Sequence, residues 1–371
     1  MSEKIVRLAN FVMPRSGGLR TALHALGAGY LAAGHEPILI VPGAGYADEM
    51  TSQGRVITLP GPVVPGTGGY RVILARRRLQ KLLEDLAPDR LEVSDRFTLR
   101  WTGRWAREHG IPAVMVSHES LAGLLSFAGP LGNPWADRLN SRTLRAYDKI
   151  VCTTGWAAGE FRRIGADNIA QVPLGVDLEL FDPSRYSDDL RARYAEPHQV
   201  LLVHCGRLSQ EKRPERSVEA LVALRRRGVD AVLVVVGDGP LRARLQELAR
   251  GHTVHFVEFV AERTAVASLL ATADVVIAPG PIETFGLAAL EALACGTPVV
   301  VDAASALPEV VGAAGVAVTN DFAAGVLQVL ERPAPARRAQ ARRRAERFSW
   351  PAAVAGFLAV HQSLVLSGAV P

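Results

Sequence analysis

The chain of 371 residues is short of several things that would have placed it at once. It has only three cysteines, Cys152, Cys205 and Cys295, far apart and each in an apolar run. That rules out a disulfide scaffold and any Cys-based metal spacing; it implies reduced, buried thiols and a cytoplasmic setting. The start, "MSEKIVRLANFVMPRSGG", lacks a signal-peptide core because Asn10, Pro14 and Arg15 interrupt it. The most apolar tail, 351–370, carries His361, Gln362 and Ser363 and reads as a packed helix rather than a span. A large charge excess is also missing. With 42 Lys+Arg against 37 Asp+Glu, the formal charge is +5, which permits an anionic partner without requiring one. No internal repeat, low-complexity block or acidic metal cluster appears.

What is present is a globular composition, 49% hydrophobic and 21% charged, on a chain long enough for two cores. Apolar strand runs at 4–12, 36–43, 55–59, 90–93, 113–117, 149–153 and 169–172 alternate with helical stretches at 19–33, 71–86, 99–109 and 135–146. After the turn-rich segment 172–186 the alternation restarts, with strands at 199–208, 230–240, 254–257, 274–280 and 298–302. Helices are expected between them at 214–227, 241–250, 263–272 and 286–295. Strand–loop–helix–strand order of this kind predicts parallel α/β sheets. The predicted division is 1–178 with the C-terminal helix 350–371 packing back on it, and 179–349.

Glycine loops supply the first functional candidates. Gly43-x-Gly45 and Gly237-x-Gly239 each lack the third glycine of the dinucleotide fingerprint, because Asp48 and Arg242 stand there. Both read as turns, which disfavours a nicotinamide-dependent dehydrogenase. Gly17 and Gly18 are different: they follow the first strand and open the first helix. There a backbone can approach a phosphate and unpaired N–H groups face it. A plain turn is the competing reading.

The segment "APGPIETFGLAALEALACGTPVVV" (278–301) holds Glu283 and Glu291, eight positions apart, among glycine, proline and small apolar residues. Glu283 falls in the loop after a strand, at the carboxyl edge where open α/β sheets bind ligands. Glu291 falls more than one turn into the following helix. Between them the N–H groups of Phe285, Gly286 and Leu287 suit an oxyanion or hydroxyl. The competing reading has Glu283 favouring the helix dipole and Glu291 on a solvated face.

This segment resembles the E-x7-E motif of retaining glycosyltransferases of the GT-B fold, in the large family 4. The resemblance runs through nearly the whole chain: "PRSGGLRTALHALGAGYLAAGHEPILIV", "VPLGVD" (172–177), "HCGRLSQEKRPE" (204–215), "VGDGP" and "ADVVIAPGPIETFGLAALEALACGTPVVV". It implies two Rossmann-like domains facing each other across a cleft, the first binding acceptor and the second a nucleotide sugar. It further implies that Glu283 binds donor-sugar hydroxyls beside the backbone of Phe285, Gly286 and Leu287, and that Glu291 binds the ribose. Arg207 and Lys212 would hold the diphosphate, which suits a leaving group that gains charge. Gly17 and Gly18 would let the N-terminal loop close over phosphates and acceptor. His118, after strand 113–117, would contact the sugar and shield the reaction centre. No metal or cofactor is expected beyond the nucleotide sugar. The family's usual small residue after the first motif Glu is Thr284 here, which would narrow the sugar pocket.

Within the family, "ANFVMPRSGGLRTA", "GGYR", "EVSDRFTLR", "VCTTGWA" and "VPLGVDLELF" resemble bacterial phosphatidylinositol mannoside α-mannosyltransferases. That implies GDP-mannose as donor and a mannosylated inositol lipid as acceptor. A UDP- or ADP-linked sugar with a soluble acceptor is the alternative within the family, and a non-catalytic nucleotide or polyanion binder the alternative outside it. A lipid acceptor calls for surface docking, and the basic amphipathic stretch 70–86 is a candidate for contact with the inner face of the cell membrane. Its apolar stripe facing the core is the competing reading. Asp95 and Arg96 are weighed as acceptor binders against a structural loop pair. The run "RRAQARRRAERF" (337–348) is expected to be a solvated helix face. No nucleic-acid partner is expected.

Overall fold

A computed structural model describes residues 2–12, 17–65, 69–126, 132–258, 260 and 262–367. The chain forms two compact units, Met1–Leu174 with Trp350–Pro371, and Gly175–Ser349. The break lies at 174/175 rather than 178/179. The reason is local: Val176 N donates to the Phe348 carbonyl at 3.0 Å and bridges to Ser349, which ties this segment to the end of the second unit.

The first unit runs β1 (Lys4–Leu8), α1 (Gly18–Ala32), β2 (Glu36–Gly43), β3 (Ala47–Thr51), β4 (Gly54–Pro60) and α2 (Arg76–Leu86). It continues with β5 (Arg90–Val93), α3 (Trp101–Glu108), β6 (Ala113–Ser117), α4 (Leu121–Ser126) and α5 (Gly132–Leu144). β7 (Lys149–Cys152), α6 (Gly155–Arg162) and β8 (Ile169–Gln171) follow. Its eight strands lie in the order β3-β4-β2-β1-β5-β6-β7-β8. All neighbours pair in parallel except β3 with β4. β3 has the sequence ADEMT, too polar and too exposed to read as a strand, and it sits at the sheet edge.

The second unit runs α7 (Asp188–Tyr194), β9 (Val200–Cys205), α8 (Glu215–Arg226), β10 (Ala231–Val236), α9 (Arg242–Leu248), β11 (Val254–Val257) and α10 (Arg263–Thr272). Then come β12 (Val275–Ala278), α11 (Leu287–Ala294), β13 (Val299–Asp302), α12 (Leu307–Val311), β14 (Gly315–Val318), α13 (Phe322–Leu330) and α14 (Ala334–Ala345). The sheet is parallel throughout, in the order β11-β10-β9-β12-β13-β14. β10 reads AVLVVV and is buried at every position, the continuous apolar run of a strand covered on both faces.

The last helix, α15 (Trp350–Ser367), belongs to the first unit. Gly29 of α1 lets it come close, since a Cβ there would overlap the Val354 side chain. Under this contact lies a buried polar network. Arg7 Nε donates to Glu92 at 3.2 Å, Tyr30 Oη donates to Glu92 at 2.8 Å, and His361 Nε2 lies 3.4 Å from the same carboxylate. Burial alone would raise the Glu92 carboxyl; the Arg7 charge, with His361 and Tyr30, overrides it and holds the group at about 2.

Two helical expectations change. The stretch 70–86 is helical only from Arg76: Arg71 instead bridges to Val63, and Val72 N donates to the Pro62 carbonyl. Leu79, Leu83 and Leu86 of α2 are buried in the core, so its apolar stripe is already covered. The arginines at 337–348 are not simply solvated. Arg338 donates to the Ala273 carbonyl at 3.0 Å and to that of Ala271 at the end of α10. Arg342 donates to the Ala294 carbonyl at 2.9 Å, and Arg344 to that of Val310 at 2.8 Å. α14 thus donates to carbonyls at the ends of α10, α11 and α12, where a helix lacks its own donors.

Candidate active site

In the second unit the strand order reverses between β9 and β12, since β10 lies on one side of β9 and β13 on the far side of β12. A crevice opens at the carboxyl ends of such neighbours, and ligands of open α/β sheets bind there. The loop leaving β9 carries Arg207 and a single 3-10 turn, Gln210–Lys212. The loop leaving β12 carries Glu283.

Packing fixes both loops. A Cβ on Gly237, whose φ is 135°, would overlap the carbonyl oxygen of Gly206, the residue before Arg207. The glycine pair 237/239 therefore makes room for the Arg207 loop, as a turn after a strand. Arg213, directly after Lys212, holds a φ of 49°, a left-handed backbone that non-glycine residues seldom adopt. Lys212 Nζ donates to Glu283 Oε1, and both side chains stay partly open, 33% and 23% exposed. Glu283 is held from behind as well, because Ala306 N donates to its carbonyl at 2.9 Å.

From Glu283 the chain enters α11 through Thr284 and Phe285, both buried. The Phe285 ring packs edge-on against Phe348, with centroids 5.9 Å apart. Gly286 is the cap, with φ 80°; a Cβ there would overlap Leu307. No other residue type meets both demands. Among the described residues, the N–H groups of Phe285, Gly286 and Leu287 donate to no protein acceptor. They are the orphan donors at the positive end of α11, beside the Lys212 ammonium. The arrangement favours a phosphate or another oxyanion.

Glu291 projects one turn farther along α11. It is paired: Arg263 Nη2 donates to Glu291 Oε1 at 2.7 Å, with the carboxylate side chain 13% exposed. Burial pushes the Glu291 carboxyl up, and Arg263 opposes that shift. Both charges act on the thiol of Cys205, the last residue of β9, which burial pushes up to about 12. Glu291 therefore stands at the same edge as Arg207, Lys212 and Glu283. Arg263 was not legible as a partner, since it lies 28 positions from Glu291 on another helix. The same holds for Arg216, which pairs with Asp302 at the end of β13.

The first unit has its own reversal, between β1 and β5. Gly17, with φ 111°, precedes α1 and Gly18 begins it; both are exposed. The loop before them, 13–16, lies outside the described residues. Asp95, after β5, accepts from Asn10 Nδ2 at 2.7 Å and Thr98 Oγ1 at 2.6 Å. Arg96 donates to Asn140 at 2.9 Å, to Glu160 at 3.3 Å and to the Glu119 carbonyl at 2.6 Å. Both side chains are buried and engaged, so the pair is structural. Arg96 in effect pins the loop after β6, in which His118 sits. Burial lowers the His118 imidazole to about 4, with Arg7 and Arg96 acting in the same direction and Glu92 against it. His118 is therefore neutral near pH 7. Among the described residues, no group of three or more His, Cys, Asp or Glu side chains is placed to hold a metal ion.

Comparison with known proteins decides the class. Residues 16–180 match the family "Glycosyltransferase Family 4", and residues 187–348 match "Glycosyl transferases group 1". A curated Mycobacterium tuberculosis protein named "GDP-mannose-dependent alpha-(1-6)-phosphatidylinositol dimannoside mannosyltransferase" is 52% identical over 98% of this chain and 97% of its own length.

The chain belongs to the family 4 glycosyltransferases.

This glycosyltransferase also shares its fold with solved structures. Sucrose-phosphate synthase from Thermosynechococcus elongatus superposes with a TM-score of 0.79 at 21% identity, covering 98% of this chain and 100% of the other. Anabaena HepE in complex with UDP-glucose superposes with a TM-score of 0.76 at 18% identity, covering 98% and 99%. At that identity the likeness shows the GT-B fold alone, two Rossmann-like units. The reading as a non-catalytic binder falls with the family assignment. Among the described residues no helix is long and apolar enough to cross a membrane.

Proposed function

We propose that this glycosyltransferase moves mannose from GDP-mannose to a hydroxyl of a phosphatidylinositol mannoside, with retention at the anomeric carbon. The observation that carries the reading is the Lys212–Glu283 pair beside the orphan N–H groups of α11, at the strand-order reversal of the second unit. It sets a cation and a helix N-terminus, for a diphosphate, next to a carboxylate, for sugar hydroxyls. The relative at 52% identity supports the choice of donor and acceptor.

In this reading Arg207 and Lys212 hold the diphosphate with Phe285, Gly286 and Leu287 N–H. Their charge matters most as the bond from the anomeric carbon to the phosphate oxygen breaks and that oxygen gains negative charge. The acceptor hydroxyl attacks from the same face, and its proton passes to the departing phosphate oxygen. No protein base is then required, and positioning supplies much of the rate. Glu283 orients the sugar by accepting from its hydroxyls. Glu291 accepts from the ribose hydroxyls, with Arg263 opposing the upward shift that burial imposes on its carboxyl. His118, neutral, exchanges hydrogen bonds with the sugar rather than placing a charge beside it. Gly17 and Gly18 allow the loop before α1 to approach phosphate and acceptor. No metal takes part. The lipid tails of such an acceptor stay in a bilayer, so the enzyme works in the cytoplasm at the inner face of the cell membrane.

The test is incubation of the full chain with phosphatidylinositol dimannoside and, separately, GDP-mannose, UDP-glucose or ADP-glucose, with products read by mass spectrometry. A lipid one hexose heavier with GDP-mannose alone is expected. Transfer only from a UDP- or ADP-linked sugar, or only to a soluble acceptor, overturns the assignment.

A further inference from the structure

A cavity of about 400 Å³ opens on the first unit beside α3 and the end of α5, and none of its lining residues belongs to the donor site. Five guanidinium groups line it, from Arg100, Arg104, Arg107, Arg142 and Arg145. The formal surplus of the whole chain is also +5. Acids do little to balance this cluster. Glu108 lies 3.5 Å from Arg104 on the open surface, and among the described residues no carboxylate pairs with the other four. Like charges gathered this closely repel, and an anion among them relieves that cost.

The cavity is built into the fold. A Cβ on Gly103 would lie 2.5 Å from the Ala146 carbonyl and 2.8 Å from the Tyr147 ring, so α3 runs directly against the chain leaving α5. Tyr147 Oη donates to the Leu99 carbonyl at 3.2 Å, and Arg107 Nη1 to that of Arg145 at 3.0 Å. The arginines of both elements are thereby held around one space. Guanidinium forks match phosphate oxygens two at a time.

The rim is aromatic. Trp101 lines the cavity, with the Arg76 guanidinium 4.6 Å above its ring, and Phe97 is 37% exposed. Along α5, Trp135, Arg138 and Arg142 recur three and four positions apart, and Arg145 extends the same face. Trp135 is 61% exposed. A soluble phosphate would need only the cations. Exposed indole and phenyl rings beside arginines suit the boundary between headgroups and acyl chains.

We infer that this cavity is a headgroup site for the phosphate of an anionic phospholipid, and that it seats the first unit on a lipid surface. The inference deepens the lipid-surface part of the proposed function and does not depend on the donor. It also moves the anchor away from α2, whose apolar stripe is buried.

Sedimentation of the full chain with vesicles tests it, using phosphatidylcholine alone or mixed with phosphatidylglycerol. Wild type is expected to partition to the anionic vesicles only. The variant R104Q/R142Q changes two exposed cavity residues and should partition on the order of tenfold more weakly, or worse. A charge-matched control, R226Q/R244Q in the second unit, should bind like wild type. GDP affinity and melting temperature should be unchanged in both, which separates this site from the donor site. A wild type that binds vesicles without binding GDP would sink the donor reading and leave this one standing. Equal partitioning of R104Q/R142Q and wild type overturns the inference, as does an equal loss in both double variants. Stabilisation of wild type, but not of R104Q/R142Q, by inorganic phosphate without vesicle binding reassigns the cavity to a soluble anion and also overturns it.

Discussion

The two units carry the same architectural feature, a strand-order reversal at the carboxyl edge of a parallel sheet, and furnish it differently. At the edge between β9 and β12 the side chains are charged and paired between separate elements: Lys212 with Glu283, and Glu291 with Arg263. At the edge between β1 and β5 the reversal is closed by Asn10, Asp95 and Thr98, and what remains open is backbone at Gly17 and Gly18. One topology thus carries two kinds of side-chain chemistry. Ion pairs that open toward solvent can exchange partners with a diphosphate and a sugar. A neutral imidazole suits a ligand that offers hydroxyls, and exposed glycines let backbone approach it closely.

The largest effect should come from the charged edge. Glu283→Gln keeps the size of the side chain but removes the carboxylate, and transfer should fall by about 10²–10³, as for other preorganised groups at a reacting centre. Far-ultraviolet circular dichroism should be unchanged; near-normal turnover would remove Glu283 from its role.

The second prediction treats both halves alike. His118 and His204, one in each unit, are both lowered to about 4 by burial. Between pH 6.5 and 4 the unfolded chain takes up protons that the folded chain refuses, so stability present above pH 6.5 is lost as the pH falls through that window. Linkage puts the full loss on the order of 3 kcal/mol per histidine, of which roughly 2 kcal/mol falls between pH 7 and 5. Urea titrations at pH 7 and 5 measure it; equal midpoints would show that neither imidazole is held neutral.

Glu291→Gln should weaken GDP binding by about 10- to 100-fold, the range for a hydrogen bond to a charged group, while leaving kcat nearly intact. A lowered kcat with unchanged GDP affinity would place Glu291 at the sugar instead. The smallest effect belongs to the neutral edge. His118→Ala should cost about 3- to 10-fold in kcat/KM, the value of one uncharged hydrogen bond, without changing GDP affinity. Weaker GDP binding in that variant would erase the proposed division of labour.

How much of this was legible in the sequence depends on how local the physics is. The alternation of buried strands and helices is written in runs such as "QVLLVHC" and "DAVLVVV", and the loop-to-helix step at Gly286 in the glycine itself. Pairing across distance is not. Nothing near Glu291 names Arg263, and nothing near Lys212 names Glu283, 71 positions away. The polar edge strand β3 escaped because only backbone bonding to β4 defines it. The arginines of α14 misled because a basic run reads as solvated until its carbonyl partners are in place. The five arginines around the first unit's cavity come from two separated segments, and only the fold gathers them.

Titration calorimetry with GDP on wild type, R207A/K212A and H118A bears most directly on the claim that the second unit's charged edge grips a diphosphate. The account predicts binding about a hundredfold weaker or worse in R207A/K212A, where two charge-assisted contacts are lost, and wild-type affinity in H118A. Equal GDP affinity in all three proteins would contradict it.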